Sequence, residues 1–66
     1  MRITANGKPF DLKPDLSVAA FVRSRDLDPV LVVVELNGEP LERGRYEEVI
    51  LAEDDRLELV RAVAGG

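Results

Sequence analysis

Residues 30–38 read Val-Leu-Val-Val-Val-Glu-Leu-Asn-Gly. β-Branched side chains are stiff about χ1 and pack well on a pleated surface. The near-continuous apolar run predicts a central strand over Val30 to Asn37, buried on one face and partly covered on the other. Asn37-Gly38 then marks a tight turn, because both residues tolerate positive φ. Alternation divides the strand: Val32, Val34 and Leu36 face a helix, while Leu31, Val33 and Glu35 face the other way.

Downstream, Glu39-Pro40-Leu41 is a short strand, confined to an edge by Pro40, which has no N–H to donate. Arg43 to Glu48 is a polar connection with room for a helical turn, and it carries Tyr46. Val49-Ile50-Leu51 is a short apolar return, and Glu53-Asp54-Asp55 is a turn. Arg56 to Val63 is the last strand, with Leu57 and Leu59 toward the core and Glu58, Val60 and Ala62 outward. Ala64-Gly65-Gly66 follows as a tail.

Upstream, Asp28-Pro29 ends any helical run. Ser17 is a good N-cap for a helix through Arg23, with Val18, Phe21 and Val22 forming one apolar stripe and Arg23 and Arg25 in its last turn. Met1 to Ala5 alternates as a half-buried strand. Asn6-Gly7 turns the chain back into Lys8 to Leu12, with Phe10 and Leu12 inward and Pro9 turning its nitrogen away from any partner. A hairpin, one helix and further strands suit an α+β domain, a helix packed across one face of a mixed sheet of four to five strands. The expected organisation is one domain over residues 1–63 and an extended diglycine tail over 64–66.

The chain has 66 residues, 45% of them hydrophobic, and a net charge of −4. A domain this small has one core and no room for a deep cleft. Its acidity disfavours nucleic acid. The apolar run from Val30 to Val34 is far shorter than the roughly 20 residues a membrane helix needs. No signal-peptide pattern opens the chain, so the cytoplasm is the expected compartment. There is no cysteine and no histidine. Disulfides, thiol nucleophiles, imidazole bases and the usual zinc sites are thereby excluded.

Chemistry must therefore come from carboxylates, lysines, hydroxyls or a chain terminus. Two terminal glycines arise by chance in roughly one chain in two hundred, and the bland alternative is a frayed end. Three extended residues reach about 10 Å, and glycines pass through channels too narrow for other residues. A terminal carboxylate is ionised at neutral pH and is a poor electrophile. It needs activation, most simply as an acyl-adenylate, which a partner enzyme must supply. Val33, Val60 and Ala62 form an apolar patch on the outer face of the sheet, where polar residues are expected. That patch suggests a docking surface, against the alternative of scattered surface apolars. Glu53-Asp54-Asp55 lacks the spacing of a calcium loop and reads as a solvated turn. Glu47-Glu48 and Asp54-Asp55 have no pocket to make them an acid–base pair. Arg61 is either a contact for an acidic groove or an ordinary strand residue.

These pieces together resemble the ThiS family, the sulfur carriers of thiamine thiazole biosynthesis. The resemblance rests on Met1-Arg2-Ile3 with Asn6-Gly7, Leu16-Ser17-Val18, Val34-Glu35-Leu36-Asn37-Gly38-Glu39, Leu41-Glu42-Arg43, Asp55-Arg56-Leu57-Glu58-Leu59-Val60 and Ala64-Gly65-Gly66. They run through the whole chain in order. Tyr46 stands where the family often has tryptophan, and Asp54-Asp55 where it usually has Gly-Asp. The resemblance implies a β-grasp, ubiquitin-like fold and a carrier that is not itself an enzyme. A ThiF-like adenylyltransferase would activate Gly66 with ATP and magnesium, neither bound by this chain. A cysteine desulfurase or other persulfide donor would convert the adenylate to a thiocarboxylate, and the thiazole synthase ThiG would accept the sulfur. The small subunit of molybdopterin synthase, a ubiquitin-like modifier and a passive binding module are the competing readings.

Overall fold

The two Asn-Gly pairs set the hairpins. Asn6 and Gly7 take φ of 51° and 79°, and Asn37 and Gly38 take 53° and 87°, the double left-handed conformation that suits the twist of two-residue hairpins. The first pair joins β1 (Arg2–Ala5) to β2 (Lys8–Asp11), and the second joins β3 (Val32–Leu36) to β4 (Glu39–Leu41). Strand β5 (Arg56–Arg61) inserts between the hairpins, parallel to β1 and antiparallel to β3. The sheet order is therefore β2-β1-β5-β3-β4. This computed structural model describes residues 1–62.

Helix α1 spans Val18–Ser24, and the Ser17 hydroxyl accepts from the Ala20 N–H at 3.0 Å. That bond satisfies one of the amides left unpaired at a helix start. Val18, Phe21 and Val22 are fully buried, as their spacing predicts, and Ala19 joins them. They pack on Ile3, Ala5, Val32, Val34 and Leu57 from the inner face of the sheet. Burying each large side chain contributes about 1.5–3 kcal/mol. Phe10 meets Phe21 edge to face at 5.3 Å, and the Arg25 guanidinium lies 4.8 Å over the Phe10 ring. Arg25 is thus the C-cap of the helix and leaves Arg23 alone in the last turn. The result is the β-grasp arrangement expected above, with one helix across a five-stranded mixed sheet.

Prolines stand on both outer strands, Pro9 opposite Thr4 in β2 and Pro40 opposite Glu35 in β4. A residue without a donor weakens an edge as a template for further pairing.

Two expectations need correction. Val30 and Leu31 are outside the strand. Pro29–Leu31 forms a 3-10 turn whose N-cap, Asp28, accepts from the Val30 N–H at 2.9 Å. Proline at the first position of that turn has its φ pre-set for it. The short apolar return at Val49-Ile50-Leu51 is as expected, with Leu51 buried and a single bridge from Ile50 to Ser17. The last strand ends at Arg61, and Val63 lies outside the described residues.

Tyr46 follows a 3-10 turn over Arg43–Arg45 and is 3% exposed. Its hydroxyl donates to the Val32 carbonyl at 2.9 Å and accepts from the Val34 N–H at 3.1 Å. It takes up the side of β3 where the short β4 gives out. Among the described residues, no helix is long and apolar enough to cross a membrane.

Candidate functional site

Strand β5 leads to the tail, so its construction positions whatever the tail does. On its β3 side the pairs run Leu36–Leu57, Glu35–Glu58, Val34–Leu59, Val33–Val60 and Val32–Arg61. The Ala62 N–H continues the ladder by donating to the Leu31 carbonyl at 2.7 Å. On its β1 side the register covers only Thr4–Arg56 and Ala5–Leu57. The Asn6 carboxamide then substitutes for a further strand residue. Its oxygen accepts from the Leu59 N–H at 2.8 Å, and its nitrogen donates to the Leu59 carbonyl at 3.2 Å.

The outer face carries the expected apolar patch. Val33 and Val60 stand directly opposite each other, 46% and 60% exposed, and Ala62 is exposed beyond them. Leu31, whose carbonyl accepts from the Ala62 N–H, is 52% exposed at the same end, and Val30 before it is 65% exposed. Val30 is the part that sequence reasoning missed. The Asp28-Pro29 pair held the signal for it, a cap followed by proline at the first position of a turn.

Glu35 and Glu58 form the next pair on the same face of the ladder, both exposed. Among the described residues neither has a cationic partner within 4.0 Å. Directly opposed like charges disfavour pairing, so the patch carries an acidic border. Farther along the same sheet, Arg2 pairs with Asp11 at 3.0 Å. That hydrogen bond and charge hold the Asp11 carboxyl below its ordinary range. On the helix side, the hydrogen bond from Arg23 does the same for Glu47.

The acidic turn has structural partners. Asp55 accepts from the Ala52 N–H at 2.8 Å and from the Asn37 side chain at 3.0 Å, and Glu53 accepts from the Arg2 N–H at 3.1 Å. Among the described residues no pocket opens, and no three side chains gather to hold a metal ion. The described surface carries an apolar strip with an acidic border, beside the end of the strand that runs into the tail. Ala64, Gly65 and Gly66 lie outside the described residues.

Comparison with known proteins adds a family. The ThiS family model matches residues 3–66. The sulfur carrier protein ThiS of Bacillus subtilis is 37% identical over 62 residues, covering 92% of this chain and 94% of that one. A thiazole synthase of Magnetococcus marinus is 33% identical over 66 residues, covering all of this chain. The chain spans only 20% of the length of that synthase. The crystal structure of the thiamine biosynthesis protein ThiS from Geobacter metallireducens superposes with a TM-score of 0.84, at 32% identity and full coverage of both chains.

Proposed function

The chain belongs to the ThiS family, the sulfur carriers of thiamine biosynthesis, and from that premise we propose that the Gly66 carboxylate is its working group. A carrier of this family is a co-substrate of other enzymes and not a catalyst. The observation that carries the reading is the family match, which runs to residue 66 and so includes the diglycine.

The cycle needs two partners before the acceptor. A ThiF-like adenylyltransferase joins the carboxylate to the α-phosphate of ATP, with magnesium, and releases pyrophosphate. A persulfide sulfur, from a cysteine desulfurase or similar donor, then displaces AMP from the acyl carbon. Reduction of the acyl disulfide by a thiol leaves the thiocarboxylate. With no cysteine in the carrier, no internal thiol intercepts the adenylate. Thiazole synthase accepts the sulfur. In the Magnetococcus protein of that name, a fifth of the polypeptide is alike to this whole chain, which supports pairing carrier with synthase. Val33, Val60 and Ala62 form the docking surface, and Ala64 and Gly65 thread the enzyme's channel. The cytoplasm is the compartment this reading requires.

Intact-protein mass spectrometry tests it, after incubation with ATP, the adenylating enzyme and a persulfide donor. The expected result is a mass gain equal to exchanging one oxygen for sulfur, localised to Gly66 and abolished when Gly66 is deleted. An unchanged mass, with the enzyme active on another carrier, overturns the reading.

A further inference from the structure

We infer that the adenylating enzyme lays an extended segment of its own against β5 at Arg61, pairing backbone to backbone. The inference rests on the carrier reading above.

It starts from where each backbone group of β5 points. The Asn37 N–H donates to the Arg56 carbonyl, and the Ala62 N–H donates to the Leu31 carbonyl. In an antiparallel ladder alternate residues bond to the same neighbour. Residues 56, 58, 60 and 62 therefore turn their backbone groups to β3, and residues 57, 59 and 61 turn theirs to the β1 side. There the Asn6 N–H donates to the Leu57 carbonyl at 2.9 Å, and the Asn6 carboxamide takes both groups of Leu59. At Asn6 the β1 side ends. Among the described residues nothing pairs with the N–H and C=O of Arg61 on that side.

At two other gaps the chain supplies a side chain of its own. Tyr46 does so for β3 and Asn6 for Leu59, while prolines mark the two outer strands. On β5, Arg61 presents a donor and an acceptor on an edge that no described residue covers. Water serves them while the carrier is free. An enzyme acting on Gly66 must close around the chain near this point, since residues 63–66 span at most about 14 Å. Once water is excluded, both groups need partners. An added strand supplies a donor and an acceptor at the right spacing. Its outward side chains would stand beside Val60, whose exposed apolar surface suits them.

Amide hydrogen exchange by NMR on the unaltered protein reads this directly. Alone, the carrier should show fast exchange at Arg61 and slow exchange at Leu57 and Leu59. Adding the adenylating enzyme with ATP should protect Arg61 at least tenfold. Protection in the free carrier, or none in the complex, overturns the inference. Protection that grows with carrier concentration in the absence of enzyme assigns the edge to a second copy and also overturns it. Kinetics give the second arm. Arg61→Pro removes the N–H without touching the β3 ladder, and should lower kcat/KM for adenylation at least tenfold at an unchanged melting temperature. Arg61→Ala keeps the N–H and should stay within threefold. Equal losses in both variants transfer the effect to the guanidinium. If the unaltered carrier is not adenylated at all, it is the carrier reading that fails.

Discussion

From Arg56 to Leu59, strand β5 is held on both sides, by β3 along one edge and by β1 and the Asn6 carboxamide along the other. From Val60 onward only β3 holds it. The inward side chains follow the same division: Leu57 is fully buried, Leu59 half-buried and Arg61 exposed. One continuous strand is thus locked into the sheet at its start and held on one side at its end. On the carrier reading, the difference teaches that the free half has backbone, and not a cleft, to offer a partner. The fixed half sets the direction in which the free half leaves the domain.

The comparison breaks most severely at Leu57. Leu57→Ala should cost about 2–5 kcal/mol, enough to unfold much of the population in so small a domain, as urea denaturation would show. A loss under about 1 kcal/mol would mean the base of β5 is not the anchor described. Tyr46→Phe keeps the ring and removes the hydroxyl that Val32 and Val34 share. Leaving those buried groups unsatisfied should cost about 1–3 kcal/mol, and thermal melts against the parent would measure it.

Asn6→Gly sharpens the comparison. Glycine accepts the φ of 51° but cannot bond Leu59. Stability should fall by about 1 kcal/mol, and Leu59 amide exchange should rise toward that of Arg61. Exchange at Leu59 that stays slow would show that the carboxamide is not its clamp. Val60→Asp addresses the free half. It should change stability by less than about 1 kcal/mol while weakening binding to the adenylating enzyme at least tenfold in titration calorimetry. A collapsed fold would mean that the two faces of β5 are misassigned.

The smallest effect is expected on acidification. Asp11 and Glu47 are held below their ordinary values by hydrogen bonds from Arg2 and Arg23. A depressed carboxyl stabilises the fold above its unfolded value and loses that contribution as pH falls through the folded one. Both pairs are exposed, so the melting temperature should drop only slightly from this source below the ordinary carboxylate range. Arg23→Gln should flatten that slope. A slope unchanged by the substitution would leave the Glu47 pair without weight.

Much of this was readable from the residues. The Asn-Gly pairs, the Ser17 cap, the stripe of Val18, Phe21 and Val22, and the faces of Val32 to Leu36 all follow from local chemistry, and the structure agrees. Tyr46 was not readable as a buried strut, because it stands in a polar run, Arg-Gly-Arg-Tyr-Glu-Glu, with no periodic partner to mark its face. Val30 and Leu31 looked like strand because apolar character alone does not separate a strand from the turn that precedes it. The Val33–Val60 patch was visible from alternation. The open edge at Arg61 was not, since it depends on how far β1 reaches along β5, a long-range register that no local pattern encodes. Ala64, Gly65 and Gly66, where the tail is expected, lie outside the described residues.

The position of β5 has a consequence for synthesis. The last strand in sequence lies between the two hairpins made before it. A nascent chain that stops short of Arg56 holds two hairpins and a helix with no strand to join them, and long-range pairing of this kind closes late. A product truncated there therefore has no finished sheet. On the carrier reading, completing the fold requires translation to come within a few codons of the glycines.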